Sequence, residues 1–162
     1  MNDDMFCYQC EQTAGGKGCT RVGVCGKTPE IAGLQDLLIY QLKGISFYVK
    51  KLIDKGEKID KVIVGFVENC LFTTLTNVNF DADVHVHLLK HSQEIKEKVR
   101  EMVGACPNSS DAASYNLSET KEEMLKDAKR AGIMFDQDLD PDIRSLRQTI
   151  IYGLKGISAD TR

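Results

Sequence analysis

Four of the six cysteines stand within the first 25 residues: Cys7, Cys10, Cys19 and Cys25, separated by two, eight and five residues. Gly15, Gly16, Gly18, Gly23 and Gly26 break the chain around them, and no apolar period runs through residues 1–27. Such a segment supports neither a helix nor a strand. It reads as a loop that can wrap around something. A chain of 162 residues buries a core without covalent staples, so a disulfide scaffold has little motive. No basic, apolar and cleavage-site pattern of a secretory signal opens the sequence, and the expected compartment is the reducing cytoplasm. There, clustered cysteines bind metal or carry out redox chemistry.

From spacing alone, three readings of the cysteines stay open. Four thiolates in a glycine-rich loop suit an iron–sulfur cluster, whose sulfurs accept hydrogen bonds from a tightly curled backbone. They also suit a structural zinc site, although the second pair is five residues apart rather than in a second CxxC unit. Disulfides or free thiols are the remaining reading.

The rest of the chain is helical in pattern. Thr28 caps a helix with Pro29 at its first position, and Ile31, Leu34, Leu38, Leu42, Ile45, Val49 and Leu52 follow in steps of three and four on one face. Gly56 stops it. A second apolar segment, residues 59–78, follows the helical period through Ile59, Val62, Ile63, Phe66, Val67, Cys70, Leu71, Leu75 and Val78. A third helix starts near Asp81 or Asp83 and ends at Gly104, burying Val84, Leu88, Ile95, Val99 and Met102. Residues 105–117 read as a loop, and residues 119–131 as a more polar fourth helix. A fifth begins at Asp140-Pro141. No segment alternates with period two for long, so the expected fold is all-α: helical bundles behind an irregular cysteine-rich loop.

The first and fifth helices match beyond their apolar positions. At an offset of 112 residues, Pro29–Ser46 and Pro141–Ser158 agree at 10 of 18 positions, including Ile39-Tyr40 with Ile151-Tyr152 and Lys43-Gly44-Ile45-Ser46 with Lys155-Gly156-Ile157-Ser158. This marks an internal duplication. The first copy is followed by further helices, the second by Ala159 to Arg162 alone. An amphipathic helix needs partners for its apolar face, so the sequence reads as part of a longer protein. The expected division is a cysteine loop over residues 1–27, a first helical bundle over 28–135, and the first helix of a truncated second bundle over 136–162.

Met5-Phe6-Cys7-Tyr8-Gln9-Cys10-Glu11-Gln12-Thr13, then Cys19, then Cys25-Gly26-Lys27, closely resembles the amino terminus of the hybrid-cluster (prismane) proteins, known as hydroxylamine reductases. Leu34–Leu38, Thr74–Asp81 and Tyr152–Gly156 resemble further blocks of that family, in the same order. The resemblance implies a helical first domain of two bundles followed by α/β domains. It implies that Cys7, Cys10, Cys19 and Cys25 bind a [4Fe–4S] cluster, as in members with this compact spacing. That cluster would relay electrons to a hybrid iron–sulfur–oxygen cluster in later domains, where hydroxylamine or nitric oxide is reduced. On this reading a redox protein donates the electrons, and the chain by itself is inactive. A stand-alone iron–sulfur electron carrier and a zinc-stapled helical interaction module are the competing classes.

Other residues have plainer readings. Cys70 is expected in the core and Cys106 as a loop thiol. His85, His87 and His91 read as a solvated cluster, and Glu11, Lys27 and Lys50-Lys51 as solvated charges. A net charge of −3 and a pI near 5.6 give no basic surface for nucleic acid. The longest uncharged stretch, Asn69–Phe80, is too short and polar to span a bilayer, so neither nucleic acid nor membrane is an expected partner.

Overall fold

The computed structural model describes residues 5–135 and 138–161. The expected boundary at 135/136 and the terminal Arg162 touch residues outside that set. Among the described residues there are six α-helices and no strand: α1 (Pro29–Asp54), α2 (Lys61–Thr73), α3 (Ala82–Val103), α4 (Asp111–Ser114), α5 (Lys121–Ala128) and α6 (Pro141–Asp160).

Each long helix starts where a side chain accepts an otherwise orphaned N–H. Thr28 Oγ1 accepts from the Ile31 amide at 3.3 Å, Asp60 from Val62 at 2.9 Å, and Asp81 from Asp83 at 2.9 Å. Thr120 and Glu123 form a reciprocal capping box on α5. Gly56 and Gly104 follow α1 and α3 with φ of 80° and 79°, a conformation in which a Cβ is costly.

The central element is α1, which packs against α3, α4, α5 and α2. Its Leu34, Leu37, Leu38 and Ile45 are fully buried with Leu89, Val99, Cys70 and Met124. Gly44 lets α4 approach: its missing side chain makes room for the Ala112 carbonyl, and Tyr48 donates to the next carbonyl, Ala113, at 3.2 Å. Lys96 is buried beside this contact and donates to Gln41 Oε1 at 2.6 Å and to the Tyr115 carbonyl.

Two elements differ from expectation. The second helix ends at Thr73 rather than near Val78, because Thr74 bonds back to the Leu71 carbonyl at 2.9 Å and Asn77 turns to φ 62°. Val62, Val84 and Met102, expected inside, are 71%, 39% and 53% exposed. The loop over residues 105–117 contains the single turn α4, started by Ser110. The apolar stripe of α6 is open to solvent: Ile143, Leu146, Ile150, Leu154 and Ile157 are 46%, 62%, 64%, 45% and 59% exposed. No helix among the described residues is long and apolar enough to cross a membrane.

Candidate metal centre

The cysteine loop is a chain of tight turns held by one extended pairing. Cys7 and Cys19 exchange both backbone hydrogen bonds, at 3.0 and 2.8 Å, and Met5 donates to the Thr20 carbonyl at 3.1 Å. Between them the Thr13 amide closes on the Cys10 carbonyl at 3.2 Å, ahead of a short 3-10 turn over Ala14–Gly16. Glycine is required at residue 18. Its φ is 146°, and a Cβ there would lie 2.7 Å from the Phe6 ring. Beyond Cys19, Gly26 donates to Gly23 and Gly23 to the Lys27 carbonyl, both at 2.8 Å, so Cys25 rides on a closed turn.

The pairing of Cys7 with Cys19 brings two of the four expected ligands opposite one another, with Cys10 and Cys25 on the flanking turns. All four are free thiols: Cys19 is buried, Cys7 and Cys10 are half-buried, and Cys25 is exposed. Their side chains are not drawn onto a single centre. Among the described residues, no group of three or more Cys, His, Asp or Glu is arranged to hold a metal ion.

The donor chemistry nevertheless suits one. Backbone N–H groups of Ala14 and Val24 hold the Cys19 thiol below its ordinary pKa, aided by the Thr13 hydroxyl and the Lys27 charge and opposed by burial. Thr13 Oγ1 lies 3.8 Å from Cys19 Sγ. A thiolate is the metal-ligating form. Four free thiols on one glycine-rich loop, one of them facing backbone donors, therefore fit an iron–sulfur cluster or a tetrahedral zinc. Cys70 differs: it is fully buried in α2, and burial pushes its thiol up to about 12.

Lys27 is not solvated, as its charge led us to expect, but 3% exposed. Its ammonium donates to Gln35 Oε1 at 2.7 Å. The Gln35 amide group donates to the Asn79 carbonyl at 3.1 Å and lies 3.4 Å from His85 Nε2. His85 is also a correction: it is fully buried, because Nδ1–H donates to the Asp81 carbonyl at 2.6 Å and its other nitrogen faces Gln35. Burial holds its pKa down. His87 is exposed, and His91 pairs with Glu94 at 2.9 Å on the surface. A buried polar strap thus ties the end of the cysteine loop to α1 and to the start of α3. Gln35 lies in the block Leu34–Leu38, but nothing in its sequence context marks it as a tether.

Behind the loop lies a small polar cavity of about 30 Å³, lined in part by Cys7, Lys27, Asp36, Lys43 and Lys155. Burial pushes the Asp36 carboxyl up to about 7 against the pull of Lys155, Lys27 and Lys43. Burial likewise brings Lys155 down to about 8. Sequence reasoning missed both residues as parts of the site, although Lys155 belongs to the repeated Lys-Gly pair.

A family model described as the Prismane/CO dehydrogenase family matches residues 5–161. A hydroxylamine reductase of Syntrophobacter fumaroxidans is 44% identical over 159 residues, which cover 96% of this chain and 29% of that protein. One from Desulfovibrio desulfuricans is 43% identical over 159 residues, 98% of this chain and 29% of that protein. One from Thermosipho melanesiensis is 41% identical over 173 residues, 97% of this chain and 30% of that protein. The chain spans about three-tenths of the length of the curated relatives it matches.

Proposed function

The chain belongs to the Prismane/CO dehydrogenase family, and from that premise we propose that it is the amino-terminal electron-relay region of a hydroxylamine-reducing oxidoreductase. Cys7, Cys10, Cys19 and Cys25 hold a [4Fe–4S] cluster in this reading. The cluster, when bound, supplies one-electron transfer. The observation that carries the proposal is the loop itself: four free thiols between closed glycine turns, with backbone N–H groups favouring the thiolate of Cys19.

The protein's own residues hold and insulate the site. The paired backbone of Cys7 and Cys19 sets the loop's two arms against each other. Thr13 ties one arm by donating to the Cys7 carbonyl at 3.2 Å. The Lys27–Gln35 bond anchors the loop's exit to α1. Met5, Cys19 and Ala32 form a small apolar cluster of their own, which keeps water from one side of the loop.

The larger assignments belong to the same proposal. Residues 1–27 are the cluster loop, 28–135 a first bundle, and 136–162 the opening of a second. The complete protein is cytoplasmic and reduces hydroxylamine or nitric oxide at a hybrid iron–sulfur–oxygen cluster, with electrons from a redox donor protein. The relatives' name, hydroxylamine reductase, and the family match support this reading.

The test is anaerobic purification of the chain followed by measurement of iron, acid-labile sulfide and zinc. About four irons and four sulfides per chain are expected of a cubane held by four cysteines. Zinc without sulfide would replace the relay with a structural module.

A further inference from the structure

The duplicated helices border one cavity, although α6 packs chiefly against α2. Three equivalent pairs, Asp36 with Gln148, Ile39 with Ile151 and Lys43 with Lys155, line the small cavity behind the cysteine loop. Steps of three and four residues place each trio on a single helical face. On α1 this face lies away from Leu34 and Leu38, the side turned into the bundle core. The two copies of the repeat therefore contribute the same register positions to one space. Cys7 and Lys27 line the same space.

The charges there do not balance: the cavity carries three lysines and one carboxylate. Lys155 is the most enclosed contributor from α6, at 3% exposure. Its ammonium donates to the Thr74 carbonyl at 3.2 Å and, among the described residues, has no carboxylate within ion-pair distance. It lies in the attractive fields of Asp36 and Cys7 and the repulsive field of Lys27. A buried cation is expensive unless a negative charge faces it. Of the cysteines, Cys7 lines the cavity that holds this excess charge.

We infer that Lys155 belongs to the cluster site: its buried ammonium is a counter-charge to the cysteine-ligated cluster and raises the reduction potential of that cluster. The inference rests on the iron–sulfur reading above. A cubane held by four thiolates is anionic and becomes more so on accepting an electron. A fixed cation nearby therefore stabilises the reduced form more than the oxidised one. Lys155 touches no substrate; it acts through its field, as a positioning residue. The second copy of the repeat thus completes a site whose ligands all come from the first 25 residues.

The experiment is a potentiometric titration of the cluster-loaded chain, followed by its visible absorbance, with iron and sulfide measured in every sample. Lys155→Met is expected to lower the reduced-to-oxidised ratio at a given potential about tenfold, a shift of about 59 mV for one electron. Lys155→Arg should restore the wild-type midpoint, and Asp36→Asn should move it the opposite way, to more positive values, above about pH 7 where Asp36 is ionised. A Lys155→Met protein with full iron and sulfide and an unmoved midpoint overturns the inference and leaves the cluster assignment standing. If wild-type chain takes up no iron and sulfide, both fall together. If Lys155→Met does not fold, Lys155→Gln, which keeps a donor for the Thr74 carbonyl, decides: full iron and sulfide with an unmoved midpoint rejects the counter-charge role.

Discussion

Gly44 and the carbonyl oxygen of Ala112 are so close that a Cβ on residue 44 would lie 2.3 Å from that oxygen. Gly156, at the same place in the second copy of the repeat, has nothing within 4 Å of such a Cβ. Gly44→Ala should therefore destabilise by about 1–3 kcal/mol through overpacking. Gly156→Ala should stabilise by up to about 1 kcal/mol, because alanine restricts the unfolded chain and suits a helix interior. Urea unfolding of the two variants tests this, and shifts of the same sign would refute it.

The strap through Gln35 gives a second expectation. Gln35→Leu leaves the Lys27 ammonium and the Asn79 carbonyl without their partner. Losing hydrogen bonds to a buried charge and a half-buried carbonyl should cost about 2–3 kcal/mol. Amide exchange should also quicken at the Lys27–Ile31 junction, where the loop joins α1. A variant as stable as wild type, with unchanged exchange, would reduce the strap to a passive contact.

Ligand identity can be tested one sulfur at a time. Ser in place of Cys7, Cys10, Cys19 or Cys25 should each lower bound iron and sulfide per chain, because a serine hydroxyl is a poor substitute for thiolate. Cys70→Ala should lose some stability through a small cavity in the core yet keep its metal content. Full iron and colour in all four loop variants would defeat the assignment.

Lys96 makes stability depend on pH. Burial brings its pKa from the ordinary 10.5 down to about 8. Between those values the unfolded chain binds more protons than the folded one, so stability rises with pH across that window. Below about 8 both states are protonated and this contribution to the slope vanishes. At about 1.4 kcal/mol per unit, the rise amounts to about 3 kcal/mol. Lys155, also near 8, adds a slope of the same sign. Cys70, raised to about 12, opposes this above pH 9, so Lys96→Met should reduce the alkaline gain in urea midpoint most clearly between pH 8 and 9, and a variant with the wild-type slope there would place the effect elsewhere.

The caps of α1, α3 and α6 and the period of α1 were legible because they depend on residues three or four apart, whereas Val84 and Met102 at the two ends of α3 lie outside its buried face. Thr28, Asp81 and Asp140 act on amides within their own first turns. The misread residues are those whose environment is set at long range. Lys27 and His85 look solvated in their local sequence, and Val62 looks buried. Only the packing of Gln35 between residues 27, 79 and 85 makes the first two interior. The four cysteines stood out as a set by their spacing. Their relation to α6 did not, because it arises where two helices 112 residues apart in sequence close on one cavity.

The repeat also provides a thermodynamic ruler inside one molecule. Leu42 is 4% exposed and its counterpart Leu154 is 45% exposed; Leu34 and Leu146 are 0% and 62%. Each pair holds the same residue at the same distance from a proline-headed helix start. Truncating both members to alanine and subtracting the two costs cancels intrinsic helix preference and the shared chemistry of the side chain. What is left is the work of moving leucine from water into a packed interior, calibrated within a single polypeptide under one set of conditions.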